Sequence, residues 1–173
     1  MDELIEQTKL VLDGKKVKSK NFTKQIAFNA IPHIDLFSDD GYTKEELKMA
    51  NETKKILGSD INLTATCVRL PISVSHSESV NIKFKKSFTV DKVKDALDNF
   101  EGCKVIDKRV DGGYSTPLDA EGKNETFISR IRHDKTIENG LNLWIVSDNL
   151  LRGAALNSVE IAETLIKENF YGK

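Results

Sequence analysis

Arg69 and His76 stand seven residues apart in the run CVRLPISVSHSES. A guanidinium at a strand end can hold a carboxylate through two parallel hydrogen bonds, and an imidazole exchanges a proton near neutral pH. Together they suit an enzyme that orients an acid and moves a proton. On residue types alone, a surface-loop histidine and an arginine in a structural ion pair are the default readings of the same two positions. A second pair, Glu45 and Lys48, is spaced i,i+3 and therefore shares one face of a helix. The carboxylate could meet an ammonium group and the ammonium a phosphate; the plain alternative is a solvated ion pair on an exposed helix. Cys67 alternates with Leu63 and Ala65 and reads as a small core residue rather than a nucleophile. Cys103 follows a glycine near a turn, and His33 and His133 sit in settings that give neither a special role.

These side chains need elements to place them. Leu4, Ile5, Leu10 and Leu12 among charged residues predict a helix over 2–13, with Gly14 as its left-handed stop. Residues 25–34 are apolar, and Pro32 demotes their end to a strand edge or loop. Asp39, Asp40 and Gly41 predict a turn, and Thr43 with Glu46 predicts a capping box opening a helix that runs to Leu57 and stops at Gly58. Residues 61–70 alternate as a strand, with Arg69 at its end beside Pro71. Val80, Ile82 and Phe84 alternate with polar neighbours as a half-buried strand. Val93, Ala96, Leu97 and Phe100 predict a helix closed by Gly102, followed by a short strand at Val105 and Ile106. Residues 110–124 read as a long surface loop, and two strands follow around 126–132 and 141–147. Leu151, Ala155, Val159, Ala162 and Ile166 predict one long amphipathic C-terminal helix. The expected architecture is a single α+β domain over 1–173. It holds a mixed, mainly antiparallel sheet with helices on one face, and a second subunit is the economical cover for the other.

Composition narrows the class. Lys plus Arg number 26 against 27 for Asp plus Glu, so no global field draws in nucleic acid or an anionic bilayer. No run approaches the roughly 18 apolar residues of a membrane span, and the charged N-terminus is not a signal peptide, so a cytoplasmic location is expected. Two cysteines outside any CxxC pair imply neither a disulfide framework nor a zinc site. No GxGxxG or GxxxxGK(S/T) run occurs, so the sequence reveals no dinucleotide site.

The segments EQTKLVL, FNAIPHID, YTKEELKMANETKKIL, ATCVRLPISVSHSESV, YSTPLDAEGKNETFISRIRHD and ENGLNLWIVSDNLLRGAALNSVEIAE, in this order, resemble the C-terminal half of aspartate-semialdehyde dehydrogenases. The resemblance implies an NADP-dependent enzyme of amino-acid biosynthesis, on the route to lysine, threonine and methionine. Such an enzyme reduces β-aspartyl phosphate to aspartate 4-semialdehyde with release of phosphate, through a cysteine thioester. It also implies a fold like the second domain of glyceraldehyde-3-phosphate dehydrogenase, a homodimer, and no metal. Carried over by motif, the acid/base histidine falls on His76, the substrate-carboxylate arginine on Arg69, the glutamate for the substrate amino group on Glu45 and the phosphate-binding lysine on Lys48. Asn149 falls near the nicotinamide side of the cofactor. The family's nucleophilic cysteine and NADP-binding domain precede this region, and neither Cys67 nor Cys103 lies in the nucleophile motif. The chain alone is therefore expected to be inactive. The rival expectations are a dimerisation or binding module without turnover, and a related N-acetylglutamyl-phosphate-type reductase. An acetylated amine would leave Glu45 without a purpose, which disfavours the latter.

Overall fold

An amphipathic run ended by glycine gives α1, Asp2–Leu12, after which Gly14 takes a φ of 67°. The buried side of α1 is polar: Glu3 and Gln7, one turn apart, are 6% and 1% exposed. Their oxygens serve a segment that has no sheet to join. Glu3 accepts the Lys20 and Asn21 N–H groups at 2.7 and 2.6 Å, and Gln7 Oε1 accepts those of Ile26 and Ala27 at 2.8 and 3.3 Å. These coordinates are a computed structural model that describes residues 1–58 and 60–170. The polypeptide forms two units, Met1–Ser73 and Val74–Lys173.

In the first unit the predicted capping box forms. The Glu46 carboxylate accepts the Thr43 N–H at 2.8 Å while the Thr43 hydroxyl accepts the Glu46 N–H at 3.4 Å, and α2 runs Lys44–Leu57 to Gly58. The other Glu46 oxygen accepts the Cys67 N–H at 2.8 Å, so one buried carboxylate fastens a distant segment to the helix start. That segment alternates as read: Ile61, Leu63, Ala65 and Cys67 turn inward and Asn62, Thr64, Thr66 and Val68 outward. It is not a ladder strand, which corrects the expectation. Among the described residues its β pairing is the single bridge of Arg69 with Ile31, two N–H to carbonyl bonds of 2.9 Å. Alternation sets the faces of an extended chain, but a strand also needs a continuous partner, and Pro32 interrupts the one offered by Ile31.

The second unit is α+β, with a four-stranded sheet in the order β1-β4-β3-β2. Its strands are β1 His76–Lys83, β2 Cys103–Val105, β3 Thr126–Asp134 and β4 Gly140–Ser147, antiparallel except for the β2–β3 pair. Opposed residues share a face. On one, Val80, Ile82, Leu141, Leu143, Ile145 and Ile128 meet Val93 and Leu97 of α3, Val90–Asp98. The other face is polar over much of its area, with Ser79, Asn81, Asn142 and Arg132 around Trp144.

Residues 110–124, expected as a surface loop, are largely exposed but also cover one end of that second face. Pro117 at the first helical position and a Thr116–Asp119 capping box form the short α4, Pro117–Ala120. Ala120 packs with Phe127 and Val146, and Trp144 Nε1 donates to the Ser115 carbonyl at 3.0 Å. Gly113 has to be glycine, since a β-carbon there would run into the Lys108 carbonyl. The C-terminal helix also departs from expectation. Leu151–Ala155 form a π-turn before α5, Leu156–Lys167, and Ala155, Val159, Ala162 and Ile166 of the apolar stripe are exposed. Arg152 within the turn donates to the Asn124 carbonyl at 2.9 Å and pairs with Glu160, which holds the wider turn in place.

Bonds to the Thr43 and Cys67 amides hold the Glu46 carboxyl below the usual range, as the Lys20 amide does for Glu3. A carboxyl lowered in the folded state stabilises fully above its unfolded pKa, and that stabilisation is lost as pH falls through its folded value. Glu46→Gln should therefore lower the melting temperature at neutral pH and flatten the acid limb of the stability profile. Thermal melts from neutral to acid pH would show parallel curves for the two proteins if Glu46 has no such part.

Candidate active site

The capping box fixes the start of α2, and Glu45 and Lys48 flank the buried Glu46 there. Glu45 and Lys48 form an ion pair with Nζ and Oε1 3.7 Å apart. Their side chains are 35% and 56% exposed, so the pair is wet and loosely held, open to a ligand of mixed charge. Arg69 lies two residues beyond the clamped Cys67, its backbone bridged to Ile31 and its side chain exposed. Glu45, Lys48 and Arg69 thus all belong to the first unit, each within three residues of a group bonded to Glu46 or of Glu46 itself.

His76 and Asn149 belong to the second unit. His76 opens β1 opposite Ser147 and is exposed. The residue before it, Ser75, is 8% exposed and takes a φ of +75°. Its N–H donates to Asn149 Oδ1 at 2.8 Å and its hydroxyl to the Pro117 carbonyl at 2.8 Å. Asn149 is thereby joined to the histidine turn through its oxygen. Asp148, 4% exposed, accepts the N–H groups of Gly122, Leu150 and Leu151 at 2.8, 2.7 and 3.1 Å. The Gly122 amide, followed by that of Leu150, holds its carboxyl below the usual range. The π-turn reaches the histidine as well, for a β-carbon on Gly153 would stand 3.8 Å from His76 Nδ1.

Cys67 is half-buried with Sγ 3.5 Å from Met49 Sδ, and burial pushes the Cys103 thiol up despite the Arg152 guanidinium. A thiol pushed up in this way, as at Cys103, is not an activated nucleophile. His33 stacks on Phe37 and His133 on Phe88. Among the described residues no group of three or more His, Cys, Asp or Glu could hold a metal ion, and no helix is long and apolar enough to cross a membrane. Sequence reading missed Ser75 and Asp148. It also saw Glu46 only as a cap, because its bond to Cys67 spans 21 residues and leaves no local signal.

Residues 1–152 match the family described as "Semialdehyde dehydrogenase, dimerisation domain". The chain is similar to aspartate-semialdehyde dehydrogenase of Aquifex aeolicus, 46% identical over 97% of this chain and 50% of the relative. It is likewise similar to that of Bacillus subtilis, 49% identical over 96% and 51%. A solved structure of aspartate semialdehyde dehydrogenase II from Vibrio cholerae complexed with ASA superposes with a TM-score of 0.90 at 40% identity, over 96% of this chain and 49% of that one. The enzyme of Candida albicans with NADP gives 0.69 at 26% identity, over 84% and 46%. The chain spans about half the length of these relatives. With a match running through 152 of its 173 residues, it belongs to the semialdehyde dehydrogenase dimerisation-domain family.

Proposed function

We propose that this chain is the substrate-binding, proton-transferring and dimer-forming half of an NADP-dependent aspartate-semialdehyde dehydrogenase. The enzyme would convert β-aspartyl phosphate to aspartate 4-semialdehyde and phosphate in the biosynthesis of lysine, threonine and methionine. The observation that carries the reading is 46–49% identity to aspartate-semialdehyde dehydrogenases over 96–97% of the chain. The residue types suit the substrate, an amino acid with a second, phosphorylated carboxylate. Arg69 forks onto the α-carboxylate, Glu45 meets the ammonium and Lys48 the phosphate, one opposite charge for each charged group.

His76 is the acid/base group. It takes the proton of the attacking thiol and returns one to the departing or re-forming oxygen. The thiol comes from the half of the relatives that this chain does not match, so the chain alone does not turn over. Asn149 fits a contact with NADP, because Ser75 engages its oxygen and its amide N–H groups, which have no partner among the described residues, are of the kind that donate to a carboxamide carbonyl. When bound, NADPH supplies the hydride. The chain pairs with a second copy through the polar sheet face around Trp144, whose concavity of about 410 Å³ is lined by Ser79, Thr116, Arg130 and Arg132. Such a face suits a wet interface rather than a dry one.

Mixing the chain with a separately produced cofactor-bearing half should restore phosphate-dependent NADP reduction on aspartate semialdehyde. Failure under all mixing conditions would favour a binding module without turnover. Arg69→Leu in the two-half enzyme should cost about 2 kcal/mol or more of substrate binding, roughly a thirtyfold rise in KM; an unchanged KM removes Arg69 from the site. Sedimentation of the chain should show a dimer, and a stable monomer at micromolar concentration would refute the sheet-face interface.

A further inference from the structure

The segment entering β1 carries a feature that the roles assigned above leave unused. Ser75 takes the left-handed conformation, φ +75°, which residues with a side chain seldom adopt and which is found mostly where surrounding structure imposes it. Phe28, Asp35, Arg130, Asn139 and Asn169 also have positive φ, but of these six residues Ser75 alone is buried. Its backbone N–H goes to Asn149 Oδ1 and its hydroxyl to the Pro117 carbonyl, both at 2.8 Å. The two anchors lie on different elements, and each is itself fixed. Asn149 follows Asp148, whose carboxylate holds three amides, and Pro117 opens α4 behind the Thr116–Asp119 capping box.

An edge strand needs no such device to begin. A turn held from two sides does set the direction in which the next residue leaves the backbone, and that residue is His76. We propose that Ser75 is a positioning residue for His76: its left-handed turn, bonded to Asn149 and Pro117, aims the imidazole. The proposal rests on the acid/base reading of His76. It also gives Asn149 a second task, since the side chain assigned to the cofactor orients the histidine turn through its oxygen.

Three substitutions in the two-half enzyme separate the hydroxyl from the turn. Ser75→Gly loses the hydroxyl but adopts positive φ freely, Ser75→Ala loses the hydroxyl and keeps the strain, and Ser75→Val adds a branched β-carbon that resists the turn. The expected kcat order is wild type, Gly, Ala, Val. Ala should be down about tenfold and Val about a hundredfold, the scale of an ångström-sized misplacement, with KM within about threefold. The limb of the kcat–pH profile that reports His76 should shift in Ala and Val. A kcat per folded molecule and a pH profile that stay at wild-type values in Val overturn the proposal, as they would mark a purely structural role. His76→Ala is measured in parallel. Its retaining activity would sink the acid/base reading itself, whereas its losing activity while Val does not would sink only the role of Ser75. In the 173-residue chain, NMR titration of the three histidines should show His76 moved by Ser75→Ala while His33 and His133 stay in place; an unmoved His76 again overturns the proposal.

Discussion

Backbone amides outside a sheet or helix must find acceptors, and long stretches of this chain lie outside both. Three buried carboxylates meet the need. Glu3 takes the amides of Lys20 and Asn21, Glu46 those of Thr43 and Cys67, and Asp148 those of Gly122, Leu150 and Leu151. An ionised carboxylate offers about four lone-pair sites, so one side chain can hold two or three donors that would otherwise be orphaned. Charge-assisted bonds of this kind are also stronger than neutral ones, which matters where the clamped segment has little else to hold it. The irregular segments depend on this interaction for their shape.

The candidate residues ride on it. Glu45 and Lys48 sit on the turn that Glu46 caps, Arg69 two positions past Cys67, and Asn149 beside Asp148. At Glu45, Lys48 and Arg69 a buried neighbour does the holding and the side chain itself stays open, whereas the half-buried Asn149 shares in the holding through its bond to the Ser75 amide. The division has a physical reason. A carboxylate that already accepts two or three backbone amides has little bonding capacity left for a substrate, and a side chain aimed at solvent cannot fix a backbone. His76 follows the same rule through Ser75, with a hydroxyl and a backbone amide in place of the carboxylate.

What could be read beforehand was whatever local spacing controls. The capping box at Thr43 and Glu46, the stop at Gly58 and the alternation of Val80 and Ile82 depend on neighbours within four residues, and the structure has them. The strand at 61–70 was misread because pairing belongs to two segments at once, and the pattern of one does not say whether a partner runs alongside. The stretch 110–124 read as surface loop because it is polar, with two adjacent glycines and one proline, and much of it is exposed, yet Gly113, Ser115 and Ala120 are buried under hydrogen bonds and packing that no local pattern shows. Ser75 gives no warning at all: a glycine would have advertised positive φ, and a serine does not. The candidate residues were visible only as a weak histidine, a plain arginine and an ordinary ion pair. It was the family resemblance, rather than their chemistry, that raised them.

That ordinary ion pair has a consequence for binding. Glu45 and Lys48 neutralise each other across 3.7 Å in the free protein, with both side chains substantially exposed. An exposed pair of this kind is worth well under about 1 kcal/mol, so separating its members costs little. On the proposed reading the ligand carries both an ammonium and a phosphate, so each member exchanges one weak contact for a charge-assisted bond. A ligand with the phosphate alone would leave the Glu45 carboxylate facing a second anion, with its lysine drawn away. Discrimination against such a molecule therefore comes from repulsion as well as from a missing contact. On that reading the pair that looked like surface decoration would act as a charge test, held closed by its own members until a molecule bearing both signs replaces them.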